Sequence, residues 1–205
     1  NTPNRRCGHI IARGENYMNK CRLSNNTRDY AKRYECILDK MIDQMTCVKM
    51  TNSISAGFIT QMITHHRAAI EMSKNLLCYT TNIPLQDIAL NIISSQEKSI
   101  QNMTRALPEC KACINNPREI RCYTNENHRI ISEMFREMKS ACTDNSIDCN
   151  FMREMIPHHR GAVRMSENAL RFCLCPELVP LLNEIIVSQK KGIKEMECLL
   201  KKLDC

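Results

Sequence analysis

Two adjacent histidines, written twice, are the residues of this chain whose type and spacing point to chemistry. They stand in Phe58-Ile-Thr-Gln-Met-Ile-Thr-His-His-Arg-Ala-Ala-Ile-Glu-Met-Ser73 and again in Phe151-Met-Arg-Glu-Met-Ile-Pro-His-His-Arg-Gly-Ala-Val-Arg-Met-Ser166. At about 100° per residue, Phe58, Met62, His65, His66, Ala69, Met72 and Leu76 fall on one arc of a helix. Thr60, Thr64, Arg67, Glu71 and Lys74 fall on the other. Two imidazoles and two thioethers therefore share an inward face, and the same set recurs in the second copy. Imidazole and thioether together suit copper, with Met favouring Cu(I), His accepting either oxidation state, and silver following Cu(I).

The repeat also excludes chemistries. Five methionine pairs recur 93 residues apart (Met41/Met134, Met45/Met138, Met62/Met155, Met72/Met165, Met103/Met196), as do Ser95/Ser188 and Gln96/Gln189. No carboxylate does: Glu71 faces Arg164, Asp87 faces Pro180 and Glu97 faces Lys190. A di-iron bundle needs duplicated inward glutamates, and glycosidase-type acid–base work needs paired carboxylates. No nucleophile–base pair is visible either, so no catalytic residue is assigned and the chain is not expected to be an enzyme. A purely structural reading stands beside the metal reading. Methionine at helical spacing is ordinary core filler, and buried histidines and glutamines can hydrogen-bond helices together.

The elements that must position these residues follow from the same register. From Tyr30 to the last residue, adding 93 to a number gives its twin without a gap. Three units are expected: an N-terminal extension over 1–29, a helical repeat over 30–112, and a linker with a second repeat over 113–205. Each repeat reads as three helices. The first runs from about Tyr30 to Val48, with Ile37, Met41 and Met45 at turn spacing. The histidine helix is second, with candidate N-caps at Ser53 or Ser55 and at Ser146 or Asp148. The third begins with Pro84 or Pro176 in its first turn and is expected to stop at Pro108. Gln96 and Gln189 lie within its apolar stripe and are expected to be buried and hydrogen-bonded to the histidines or to backbone. Pro157 is expected to kink the second histidine helix just before His158. The fold class is all-α, a bundle of two tandem three-helix repeats. The absence of tryptophan and the 13 methionines against nine aromatic residues (five Tyr, four Phe) fit helix-on-helix packing.

Fourteen cysteines argue for an oxidising compartment and a disulfide-stapled bundle. Cys110-x-x-Cys113 followed by Cys122 leaves a structural zinc site as the alternative. Because twins of a bridge should be lost together, Cys36–Cys78 and Cys142–Cys149 are the expected pairings. The net charge of +7 is spread without blocks of like charge or interleaved aromatics, which argues against nucleic-acid binding. No apolar run approaches a membrane span. With Asn-Thr-Pro at its start, the chain is expected to be a mature exported protein, secreted, extracellular or periplasmic.

The pattern Met-Ile-x-His-His-x-x-Ala-Ile/Val-x-Met-Ser, followed by Ile-x-x-Ser-Gln-x-x-x-Ile-x-x-Met, resembles the family catalogued as domain of unknown function 305, which includes CopM-like periplasmic copper-binding proteins. The resemblance covers both repeats and is strongest in their second and third helices. It implies a ferritin-like helical bundle, export, and copper held by methionine and histidine. Residue by residue it points to Met62, His65, His66 and Met72, and to Met155, His158, His159 and Met165. Where the family usually has Gln-x-x-Glu-Ile, this chain has Gln96-Glu-Lys-Ser-Ile and Gln189-Lys-Lys-Gly-Ile. The leading expectation is an exported copper-binding protein that buffers or carries the metal, with a metal ion as partner. The alternative is an extracellular structural or assembly protein, a disulfide-stabilised bundle needing no metal and able to form a homo-oligomer.

Overall fold

In the computed structural model, which describes residues 23–49 and 51–205, the chain forms six helices. They are α1 (Asn25–Thr46), α2 (Ile54–Leu77), α3 (Ile83–Ala112), α4 (Pro117–Lys139), α5 (Ile147–Ala169) and α6 (Leu178–Lys202). Among the described residues there is no strand, and no helix is long and apolar enough to cross a membrane. Cys7, Cys21 and the expected short helix near Tyr17 lie outside the described residues.

Local signals set most of the boundaries. Ser24 caps α1 by accepting the Thr27 N–H, and its own N–H donates to Asn145 Oδ1 at 2.7 Å. The first helix therefore starts five residues before Tyr30 (30 − 25). Ser53 and Ser146, rather than Ser55 and Asp148, cap the histidine helices α2 and α5 through the N–H groups of Ala56 and Cys149. Asn116 and Glu119 close a reciprocal capping box at α4, with Pro117 at its first position.

Two proline expectations are corrected. Helix α3 runs through Pro108 to Ala112, because the next turn is anchored from outside: Cys110 is fully buried and its carbonyl accepts the Ser53 hydroxyl at 2.7 Å. Helix α6 begins at Leu178, so Pro176 lies before the helix and Pro180 occupies its first turn. Helix α5 continues through buried Pro157.

The packing makes α2, α3, α5 and α6 a four-helix core, with α1 laid on α2 and α4 laid on α5. The two histidine helices touch each other, as do α3 and α6. Contacts recur at a spacing of 93. Asn75 Nδ2 donates to the Tyr30 carbonyl at 3.1 Å and Asn168 Nδ2 to that of Tyr123 at 3.4 Å. Tyr30 meets Tyr79 edge-on at 6.1 Å, and Tyr123 meets Phe172 at 5.8 Å. Because α2 and α5 have partners on three sides, their buried arcs are wider than an amphipathic stripe predicts. Gln61, Ala68, Ser73 and Asn75 are buried on α2 besides the expected seven.

The cysteine expectations are corrected too. The bridge among the described residues is Cys149–Cys205, with Cα atoms 5.9 Å apart, tying the first turn of α5 to the chain terminus. Cys142 is not its partner. It sits exposed in a loop organised by hydrogen bonds among Asp144, Asn150 and Arg153, while the Cys149 sulfur is bonded to Cys205. Cys36 on α1 and Cys78, just past the end of α2, are both exposed and unbridged. Nor does Cys122, exposed on α4, complete a sulfur cluster with Cys110 and Cys113. The thiol that meets those two is Cys175, from the connection between α5 and α6. Burial pushes the thiols of Cys110 and Cys175 above the usual range, so both are neutral.

Candidate metal centre

Every one of the eight expected site residues is buried. Met62, His65, His66 and Met72 are 0–2 % exposed, and Met155, His158, His159 and Met165 likewise 0–2 %. The four imidazoles line up across the contact between α2 and α5. His65 stacks on His158 with ring centroids 3.6 Å apart, and His66 and His159 flank them at 6.0 and 5.9 Å.

The central pair is locked by reciprocal hydrogen bonds. His65 Nε2 lies 3.1 Å from the His158 carbonyl and His158 Nε2 lies 3.2 Å from the His65 carbonyl. A carbonyl oxygen only accepts, so both Nε2 atoms carry the proton. The lone pair of each neutral ring is then at Nδ1, and neither Nδ1 has a hydrogen-bond partner. Burial is the main reason these rings are neutral. It holds His65 and His158 well below the usual imidazole range, helped by neighbouring imidazoles, and brings His66 and His159 down to about 3. A nearby Met155 carbonyl favours the proton of His159 slightly.

Unpaired polar atoms accumulate around this row. Nδ1 of all four histidines, both side-chain polar atoms of Gln96, Gln189 Oε1, and the hydroxyls of Ser73 and Ser166 are buried without partners. The glutamines are thus buried as expected, but Gln96 is not hydrogen-bonded to histidine or backbone. Of the histidines of its own repeat, His66 has its Nε2 against Ser99 Oγ at 3.1 Å and His65 has its Nε2 against the His158 carbonyl. Leaving a buried acceptor unpaired costs about 1–3 kcal/mol, so a concentration of them needs a reason. A cation ligated by neutral imidazole would satisfy several at once.

The donor chemistry narrows which cation. Among the described residues no group of three or more His, Cys, Asp or Glu stands in an arrangement that could hold a metal ion, so these side chains alone form no preformed cage. Soft donors are what the core offers instead. Met62 precedes His66 by one turn, as Met155 precedes His159, and all ten of the repeated methionines are 0–2 % exposed. Methionines at these positions fill the core whatever else they do.

One buried carboxylate was not anticipated. Glu154 on α5 is 3 % exposed and accepts the Tyr30 hydroxyl at 2.6 Å. Burial raises its carboxyl to about 8, against the opposing pull of the Tyr30 hydrogen bond. Its twin is Gln61, whose Oε1 accepts from Asn127 at 2.8 Å and whose Nε2 donates to the Met45 carbonyl at 3.3 Å. An isosteric neutral partner in the other repeat was the available signal that Glu154 is an uncharged core acid.

Fold and site together describe an all-α, disulfide-bearing bundle with a buried histidine row in a methionine core. The profile of the family described as Domain of unknown function (DUF305) matches residues 25–107 and 55–200, and the chain belongs to that family. Among solved structures, "CopM in the Ag-bound form (by soaking)" is similar, at 27 % identity and a TM-score of 0.55 over 74 % of this chain and 98 % of that one. "CopM in the Cu(II)-bound form" is similar at 26 % identity, with a TM-score of 0.53 over 73 % and 97 %. A DUF305 fragment from Deinococcus radiodurans shares the fold at 24 % identity, with a TM-score of 0.54 over 72 % and 95 %. No curated protein sequence matches the chain significantly.

Proposed function

We propose that this is a copper-binding protein that buffers or carries Cu(I) outside the cytoplasm, without catalysing a reaction. The observation that carries the reading is the set of four neutral, buried imidazoles with unpaired Nδ1 atoms on the same arcs as Met62, Met72, Met155 and Met165. Cu(I) is soft, monovalent and content with few ligands, so it suits a dry site of uncharged nitrogen and thioether donors. A divalent ion would bring charge into a core that offers it no ionised carboxylate, Glu154 being protonated there. The similarity to CopM structures titled as Ag- and Cu(II)-bound supports the metal class. The cysteine count supports an oxidising location.

In this reading His65, His66, His158 and His159 supply nitrogen and the four methionines supply sulfur. The protein's own contribution is to hold the imidazoles neutral and exclude bulk water. The test is competition for Cu(I) against a chromogenic chelator, comparing wild type with Met62→Leu combined with Met155→Leu. Volume is nearly conserved by that change, so weaker binding reports ligand loss. Unchanged affinity, or no binding by wild type, refutes the proposal.

A second reading has its own observation. The reciprocal His65–His158 hydrogen bonds and their 3.6 Å stack fasten α2 to α5 and would do so without metal. In that case the protein is a stapled structural bundle of the cell exterior, and the same titration shows no binding.

A further inference from the structure

The two ends of the histidine row differ by one side chain. His66 Nε2 is closed off by the Ser99 hydroxyl at 3.1 Å. Ser99's twin on α6 is Gly192, which carries no hydroxyl to close the other end. A Cβ at Gly192 would lie 3.0 Å from Cδ2 and 3.1 Å from Nε2 of His159, so at this end no side chain of residue 192 stands between the Nε2 edge of the ring and α6. A surface groove of about 240 Å³ between α3 and α6 is lined by His159, Gly192, Gln189, Ser188, Ser95 and Glu195. His159 remains only 2 % exposed, so the opening admits an ion or a very small molecule and nothing larger.

We propose that this groove is the port by which Cu(I) reaches the core, with His159 Nε2 as the first protein ligand it meets and Gly192 as the residue that keeps the port open. The proposal rests on the copper reading above. Ser95, Ser188 and Gln189 line the approach with neutral polar groups, and the groove's one lysine, Lys191, is offset by the Glu195 carboxylate 3.7 Å away. A cation shedding its carrier therefore meets polar surface before the dry interior. The first repeat has the same helices and the same histidine, but its door is shut by Ser99. Metal entry is thus one-sided in a molecule whose core is nearly two-fold repeated.

The Ser99–His66 pair shows that a serine fits this position, so Gly192→Ser should fold and close the port. A hydrogen bond of about 1.4 kcal/mol that must open before metal arrives slows a step about tenfold. Stopped-flow uptake of Cu(I), delivered as its acetonitrile complex, should therefore be about tenfold slower in Gly192→Ser, with unchanged stoichiometry. Ser99→Gly should instead speed uptake by opening the second end. A metal-free readout separates the two claims. Exchange of the imidazole C2 hydrogen for deuterium, followed by mass spectrometry, should be faster at His159 than at His66 in wild type. It should become equal in Gly192→Ser, and His66 should rise in Ser99→Gly. If wild type takes up no Cu(I) while His159 exchanges faster, the copper reading fails and the opening stands as solvent access only. Equal exchange at His66 and His159 in wild type, or uptake in both variants at the wild-type rate, overturns the port.

Discussion

Glu154→Gln should stabilise the protein at mildly alkaline pH, and the structure says by how much. Burial raises the Glu154 carboxyl from the ordinary 4.5 to about 8, so the folded chain keeps a proton that the unfolded chain has released. Stability from this group is present below 4.5 and is lost as pH rises through the native value. The loss runs at about 1.4 kcal/mol per pH unit inside that window. The four histidines act in the opposite sense. Their native values lie below the ordinary 6.5, so they cost stability as pH falls toward and below 6.5, where the unfolded rings take up protons. Between pH 6.5 and 8 ionisation linked to Glu154 should cost wild type about 2 kcal/mol, while the four histidines return a similar amount in wild type and Glu154→Gln alike, so Glu154 is read from the difference between the two proteins. The introduced amide has no proton to lose. Its oxygen can accept from the Tyr30 hydroxyl, and its N–H can reach toward the Met138 carbonyl as Gln61 reaches that of Met45. Urea denaturation followed by circular dichroism at pH 6.5 and 8 should show the variant gaining about 2 kcal/mol relative to wild type over that interval. A stability difference between the two proteins that does not change with pH refutes the assignment of Glu154 as a protonated core acid.

Gln96→Leu should leave the metal-free protein as stable or up to about 1–3 kcal/mol more stable, because it removes an amide with no partner at either polar atom; a loss in thermal or urea denaturation would mean a partner exists. Gly161→Ala should destabilise by about 1–3 kcal/mol, since an added methyl would run into the Met134 side chain where α4 crosses α5. Its twin position already holds Ala68, so Ala68→Gly should show only the helix-propensity loss of about 1 kcal/mol or less. A silent Gly161→Ala in the same denaturation assay would contradict the close α4–α5 approach.

Helix number, class and the inward phase of the histidines were legible because α2 and α5 carry long apolar arcs bounded by serine caps. What periodicity could not give was how the copies meet. The stacking of His65 on His158 and their exchanged hydrogen bonds depend on α2 crossing α5, a contact between residues 93 apart. That crossing also takes the central Nε2 atoms out of use, while Ser99 within the first repeat takes that of His66. Pro108 misled for a related reason, since the turn beyond it is held by Ser53 from another helix. The bridge to Cys205 satisfies the twin-loss argument, since its twin positions, 56 and 112, both hold alanine, but Cys142 with its twin Lys49 satisfies it equally and lies nearer to Cys149 in the sequence. The Gly192 opening was written in the sequence as a single Ser-to-Gly difference between the repeats. It acquired meaning only when His159 was found behind it.

The central claim is that thioether and imidazole, rather than cysteine thiolate, hold Cu(I) in the core, and one measurement addresses it directly. Selenomethionine-substituted protein loaded with Cu(I) should give a copper-edge X-ray absorption spectrum containing a Cu–Se shell together with the outer-shell scattering of imidazole. A spectrum with sulfur alone and no Cu–Se shell would place the metal on cysteines such as Cys110 and Cys175 and contradict the account.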